Sequence, residues 1–303
     1  MAMRAAPAHA GVQITHPDRL LFPSAGVTKG DVFRYYETVA DWILPHLRDR
    51  PLTLKQCAPD VEHCRYMRHA GERMPRDVRR IEVQEQRKVG EYMIIDDLPS
   101  LLTMAQRYII EFHTWQSTAE HLEQPDRIVL DLDPGDEVPW PEVVALARLL
   151  RDMFASLRLT SWLKTTGGKG LHVVVPFKPE HGWETCLAFA RAMATLAMQR
   201  DPTRYTITTA HRTARARVIL IDYLRNARTA TAVAAYSTRA RPNASVSVPI
   251  AWDELTTRLK PDQWTIRNVP ARLARLQADP WEGYWRARQK LSAPVLKAVG
   301  VNA

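Results

Sequence analysis

The chain has 303 residues, 46% of them hydrophobic, enough for one large domain or two modest ones and too apolar for a disordered protein. Lys and Arg number 42 against 33 Asp and Glu, a formal charge of +9 that points to a polyanionic partner, nucleic acid or nucleotide. No apolar run approaches the roughly 20 residues needed to span a bilayer, so no membrane partner is expected.

In chain order, residues 1–11 are Ala-rich but too short and broken for a signal peptide, and they read as a mobile tail. Thr28-Lys-Gly-Asp31 resembles a capping box, and Val32, Tyr36, Val39 and Ile43 keep helical spacing. The pattern predicts a helix over 29–44, with Pro45 and Pro51 at its exit. Residues 52–97 alternate in short stretches, for example 80–84 and 92–96, and read as strands. A helix over 98–106 leads to a strand over 108–115. A strand over 127–133, a turn at Pro134-Gly-Asp136 and a helix over 141–157 follow. A hairpin of 161–165 and 171–176 closes around a glycine turn. Another helix covers 183–198, strands cover 217–223, 229–236 and 245–249, and the segments 270–276 and 281–285 are expected to be helical. No linker divides these elements, so the expected fold is one α+β unit with a mixed or antiparallel sheet flanked by helices.

Cys57, Cys64 and Cys186 are too few for a disulfide framework and point to a reducing, cytoplasmic location. Cys57, His63, Cys64 and His69 cluster in sequence, but their spacing matches no common zinc pattern, so ordinary structural roles are expected.

The chemistry is concentrated at strand ends. Arg127-Ile-Val-Leu-Asp131-Leu-Asp133 puts two acids on one face of a strand, because strand side chains alternate. Arg217-Val-Ile-Leu-Ile-Asp222 supplies a third. Three rigid carboxylates need a cation among them, and oxygen ligands favour Mg²⁺ or Mn²⁺ over zinc. Two such ions can activate one oxygen and stabilise another.

The loop Thr166-Gly167-Gly168-Lys169-Gly170-Leu171-His172 is not a Walker motif. Its glycines still admit a phosphate to the backbone N–H groups, and Thr166, Lys169 and His172 add donors. A plain glycine hairpin remains the alternative. Arg225, just beyond Asp222, can take phosphate bidentately or simply pair with an acid. Lys29 opposes the helix dipole at its helix start, which an anion bound there would explain, with Arg19 beside it. Tyr66, Arg65 and Trp115 are candidate stacking groups, of which Tyr66 is favoured.

With these residues laid out, the chain resembles the polymerase domain of bacterial DNA ligase D, within the archaeo-eukaryotic primase superfamily. Asp131-Leu-Asp133-Pro, Thr166-Gly-Gly-Lys-Gly-Leu-His172 and Ile221-Asp222-Tyr-Leu-Arg-Asn226 carry the resemblance. It extends from His16-Pro-Asp-Arg to Asp279-Pro-Trp-Glu-Gly-Tyr-Trp285. It implies a primase-type catalytic core over 116–303, with an N-terminal module, 12–115, packed over the cleft. It further implies a template-dependent nucleotidyltransferase that adds NTPs or dNTPs to primer ends in gap filling and non-homologous end joining. The cofactors would be two Mn²⁺ or Mg²⁺ ions. Asp131, Asp133 and Asp222 would be catalytic metal ligands. Lys55, His113, Thr166, Lys169, Gly170, His172, Arg225 and Arg239 would bind nucleotide, and Lys29 with Arg19 would bind a DNA 5′-phosphate. DNA ends and gaps, Ku, and ligase and nuclease modules are the implied partners, at the nucleoid. The family more often has Ser where this chain has Thr166, and Arg65 replaces one of an aromatic pair. Priming without a primer, non-catalytic DNA-end binding and two-metal phosphoester cleavage are the competing readings.

Overall fold

Thr28 and Asp31 begin the first helix by reciprocal bonds: the Asp31 N–H donates to Thr28 Oγ1 at 3.2 Å, and the Thr28 N–H to Asp31 Oδ2 at 2.8 Å. The computed structural model of the chain describes residues 10–71, 74–209 and 216–302, so most of the expected tail lies outside the described residues. β1 (Leu20–Phe22) and β2 (Val27–Thr28) precede α1 (Lys29–Thr38) and α2 (Ala40–Leu47). β3 (Leu52–Cys57), β4 (Cys64–Met67), β5 (Arg80–Gln84), β6 (Val89–Met93), α3 (Leu98–Gln106) and β7 (Ile109–Thr114) follow. Then come β8 (Arg127–Pro134), α4 (Trp140–Ser156), β9 (Trp162–Thr165), β10 (Leu171–Pro176) and α5 (Trp183–Arg200). β11 (Tyr205–Thr206), β12 (Ile219–Asp222), β13 (Ala232–Val233), β14 (Pro249–Ile250), α6 (Val269–Leu273) and α7 (Ala293–Ala298) complete the chain.

The expected helix over 29–44 is two helices, because Val39 leaves helical geometry (φ −99°, ψ 11°). Pro45 lies inside α2 rather than at its exit; its fixed φ suits a helix, at the loss of one i→i−4 bond. The strands expected over 229–236 and 245–249 shrink to β13, β14 and isolated bridges at Thr238–Val246 and Ser245–Thr265. The segment 281–285 forms a 3₁₀ turn, Tyr284–Arg286, entered through Gly283 at φ 82°.

The chain divides into two compact units. The first holds the chain up to Thr114 together with Val233–Ser247 and Trp264–Leu276; the second holds Trp115–Ala232, Val248–Gln263 and the chain from Gln277 onward. Two later segments of the chain thus belong to the first unit.

In the first unit, β3 lies between β7 and β6 in the order β13-β7-β3-β6-β5, with β4 also paired to β3. Leu52, Leu54, Ile110 and Phe112 are buried from this sheet. Tyr36 of α1 packs edge-on to Phe112 at 5.2 Å and donates its hydroxyl to the Ile110 carbonyl at 2.6 Å.

In the second unit the sheet order is β11-β12-β8-β10-β9-β14, antiparallel except for β11–β12. β8 alternates its faces. Ile128, Leu130 and Leu132 join one core with Val143, Leu146 and Leu150 of α4 and Phe189, Ala190 and Met193 of α5. Val129, on the other face, packs with Trp162, Val174, Trp281 and Tyr284. Period-2 alternation then carries Asp131 and Asp133 onto that second face, away from the helices.

Cys57 and Cys64 correct the cysteine reading: they face each other across β3 and β4 and form a disulfide. Counting cysteines against a multi-bridge framework missed that a tight hairpin sets such a pair opposite one another. The bond removes the ground for inferring a reducing compartment from cysteine number. It also consumes both thiols of the candidate zinc cluster, while His63 bonds Asp60 and His69 bonds Glu85.

Candidate metal and nucleotide site

The antiparallel register of the second sheet brings the acids together. Asp222 of β12 lies opposite Asp131 of β8, and His172 of β10 lies opposite Asp131 from the other side. Lys164 of β9 is the next partner in the row, opposite His172. One face of four strands thus carries Asp222, Asp131, His172 and Lys164 in line, with Asp133 two residues beyond Asp131.

Charge is balanced closely here. Arg225 Nε lies 3.2 Å from Asp131 Oδ2 and 3.1 Å from Asp222 Oδ2. His172 Nε2 lies 3.5 Å from Asp131 Oδ1. Burial would raise the Asp131 carboxyl, but His172, Arg225 and Lys164 hold it well below the usual carboxylate range. Asp222 is pushed the other way, chiefly by burial and by the negative charges of Asp131 and Asp133. His172 falls to about 4, through burial and then the Lys164 charge, so its ring is neutral at pH 7. Its Nδ1 is buried without a hydrogen-bond partner among the described residues.

A short turn fixes Arg225. The Asn226 side chain accepts from the Val129 N–H at 2.8 Å and donates to the Val129 carbonyl at 2.7 Å and the Tyr223 carbonyl at 2.8 Å. It substitutes for a strand neighbour and ties the 3₁₀ turn Leu224–Asn226 to β8. The Leu224 N–H caps Asp222 Oδ1 at 2.9 Å.

Among the described residues, no three His, Cys, Asp or Glu side chains converge as a finished metal cage. The donor chemistry nevertheless suits a hard divalent ion. Carboxylate oxygens adjoin on two paired strands, and their mutual repulsion is relieved by the Arg225 guanidinium, whose side chain is 43% exposed. The residues fit such a group in kind, with a guanidinium now supplying the positive charge between Asp131 and Asp222.

The glycine loop sits against β8. A Cβ on Gly170 would lie 2.0 Å from the Leu132 carbonyl oxygen, so only glycine permits the approach. Gly167 adopts φ 67°. Thr166 Oγ1 donates to the Gly170 carbonyl at 3.1 Å and accepts from the Gly168 N–H at 3.3 Å, holding the loop closed on itself. Lys169 pairs with Asp136 of the turn after β8.

The first unit gathers its own set. Glu111 and His113 alternate onto one face of β7, and Lys55 pairs with Glu111 across β3–β7. Glu111 receives Lys55 Nζ at 3.3 Å, His113 Nε2 at 2.8 Å and Arg239 Nε at 3.0 Å. Burial would raise its carboxyl, but the His113 hydrogen bond and the charges of Arg239, His113 and Lys55 hold it well below the usual range. Tyr66, 60% exposed, lies under Lys55 Nζ at 5.3 Å and edge-on to His113 at 5.7 Å. Arg65 bonds Gln56. Trp115 is fully buried against Trp183, which leaves it no surface for stacking a base.

Lys29 and Arg19 both approach the Tyr108 ring, at 4.4 and 6.0 Å. Lys29 is 1% exposed and donates to the Thr15 carbonyl at 2.8 Å. Its ammonium is lowered to about 8 by burial and by Arg19.

Sequence reasoning passed over Lys164 and Glu111. Alternation puts Glu111 on the face of His113 and seats Lys164 on β9, but it does not reveal the partners that other strands bring to them.

A family profile described as the LigD primase-polymerase domain matches residues 28–281. The multifunctional non-homologous end joining protein LigD of Pseudomonas aeruginosa is 36% identical over 295 residues, covering 97% of this chain and 35% of that protein. The LigD of Mycolicibacterium smegmatis is 32% identical over 247 residues, 80% of this chain and 32% of that protein. The chain thus spans about a third of the length of these relatives. The polymerase domain of Mycobacterium tuberculosis ligase D, solved in complex with DNA, superposes with a TM-score of 0.83 at 29% identity. That match covers 89% of this chain and 96% of the other.

Proposed function

The chain belongs to the LigD primase-polymerase family, and from that premise we propose a template-dependent nucleotidyltransferase that adds NTPs or dNTPs to primer ends in gap filling and non-homologous end joining. The observation that carries this reading is the register pairing of Asp131 with Asp222 and His172 on one sheet face, with the glycine loop bound to the same strand.

In this reading Asp131, Asp133 and Asp222 hold two Mn²⁺ or Mg²⁺ ions, which when bound supply charge neutralisation and a Lewis acid for phosphoryl transfer. The protein's own part is positioning and electrostatics. Thr166, Gly170 and Lys169 cradle the triphosphate of the incoming nucleotide. Neutral His172 has a single ring N–H, and in this reading that N–H is given to a phosphate oxygen. Arg225 swings from the acids to the phosphates, where its fork makes bidentate bonds. Lys55, His113 and Arg239 contact the sugar and phosphates, and Tyr66 stacks a base. Lys29 with Arg19 holds the 5′-phosphate of the downstream strand. Ku, a ligase and a nuclease are the partners this reading supplies.

Asp133→Ala tests the assignment, because Asp133 is exposed on the acid face and its loss leaves the core intact. Primer extension should fall by about 10³-fold or more while DNA affinity changes little. Extension at the parent rate by this variant would refute the role of the acid face.

A further inference from the structure

Glu111 is 1% exposed and makes no appearance among the groups assigned to nucleotide or metal above. Its two oxygens collect four donors from three stretches of chain. Oε1 accepts from Lys55 Nζ at 3.3 Å and the Ala240 N–H at 2.8 Å; Oε2 accepts from His113 Nε2 at 2.8 Å and Arg239 Nε at 3.0 Å. The three side chains are each more exposed than the acid, so the carboxylate lies beneath and the cationic groups above it. Tyr66 joins the same group through Lys55 and His113.

A carboxylate this deeply buried needs about four donors for its two oxygens, and three of the four here are side chains. This one bonds every side chain of the first unit that the proposed function assigns to the nucleotide's sugar and phosphates. Three cationic or ring donors gathered within reach of one another repel, and each has several rotamers. A single buried anion sets all three at once.

We propose that Glu111 is a positioning residue for the incoming nucleotide, fixing Lys55, His113 and Arg239 as one preorganised set. The inference rests on the proposed nucleotidyl transfer. Absence of extension by the parent protein would count against that reading, separately from any result at Glu111.

The test is Glu111→Gln in steady-state primer extension with a varied NTP. Gln keeps the shape but turns an NH₂ group toward donors. Because hydrogen bonds to charged groups are the stronger ones, the KM for nucleotide should rise about tenfold or more, with kcat less affected. In an Arg239→Ala background the same change should cost clearly less, since the partner it acts through is gone. An unchanged KM, or penalties that simply add, would overturn the proposal. Should Glu111→Gln fail to fold, ¹⁵N NMR of the His113 ring in the parent protein decides the matter. A proton on Nε2 is required, and a bare Nε2 contradicts the proposal.

Discussion

Gly170 shows how one missing methyl group positions a loop. Its backbone touches the Leu132 carbonyl so closely that an added Cβ would sit 2.0 Å away, against backbone that cannot yield. Gly170→Ala should destabilise the protein by roughly 2–4 kcal/mol in thermal or denaturant unfolding. Gly71→Ala, with nothing within 4 Å, should be close to neutral and serves as the control. Lys29 makes a second residue-scale prediction. Its ammonium is lowered from 10.5 to about 8, so between these values the unfolded chain binds a proton that the folded chain has released. Its penalty to stability is full below about pH 8 and fades as pH rises through that window. Denaturant unfolding of the parent and Lys29→Met at about pH 7 and about pH 10 should show the parent gaining relative to the variant. A constant difference would contradict the burial of a charged lysine. Residues of this kind were partly legible in sequence. The Asp-x-Asp alternation and the glycine loop declared themselves, because strand period and glycine content are local. Lys164 and Glu111 did not, because a buried charge is interpretable only once its partners from other strands are known.

At the scale of elements, β8 illustrates what periodicity can and cannot reveal. Its alternation predicted Asp131 and Asp133 on one face and Leu132 on the other, and the strand carries an apolar cluster on each face. The turn after β12 carries no such signal, yet Asn226 anchors it with three bonds to backbone. Asn226→Ala leaves a buried Val129 N–H and carbonyl unmet and should cost about 2–4 kcal/mol. It should also slow extension, since Arg225 loses its mooring. A variant of parental stability and rate would show the clamp to be dispensable. Thr28→Ala removes the cap of α1 and should cost about 1 kcal/mol, read as a lower denaturant midpoint. The helices α3, α4 and α5 were readable within two residues because their apolar faces are long and regular. The break at Val39 and the Cys57–Cys64 pairing escaped, since each depends on geometry between neighbours rather than on composition.

At the scale of the whole molecule, the chain is divided into two units by segments that cross back after Ala232 and Gln263. The first of those segments holds isolated bridges too short for any sequence period, so patterning gave one undivided unit, and the division at 115 came from the family resemblance. The charge of +9 bears on binding more directly. Affinity for DNA should fall steeply and linearly on a log–log plot against salt, as counterion release requires. The central claim is nucleotide transfer at the acid face. It is tested most directly by primer extension across a gapped, 5′-phosphorylated duplex with manganese, comparing NTPs with dNTPs. The account predicts templated addition to the primer by the parent protein and none by Asp133→Ala. Tight, salt-sensitive DNA binding without addition of any nucleotide by the parent would contradict it.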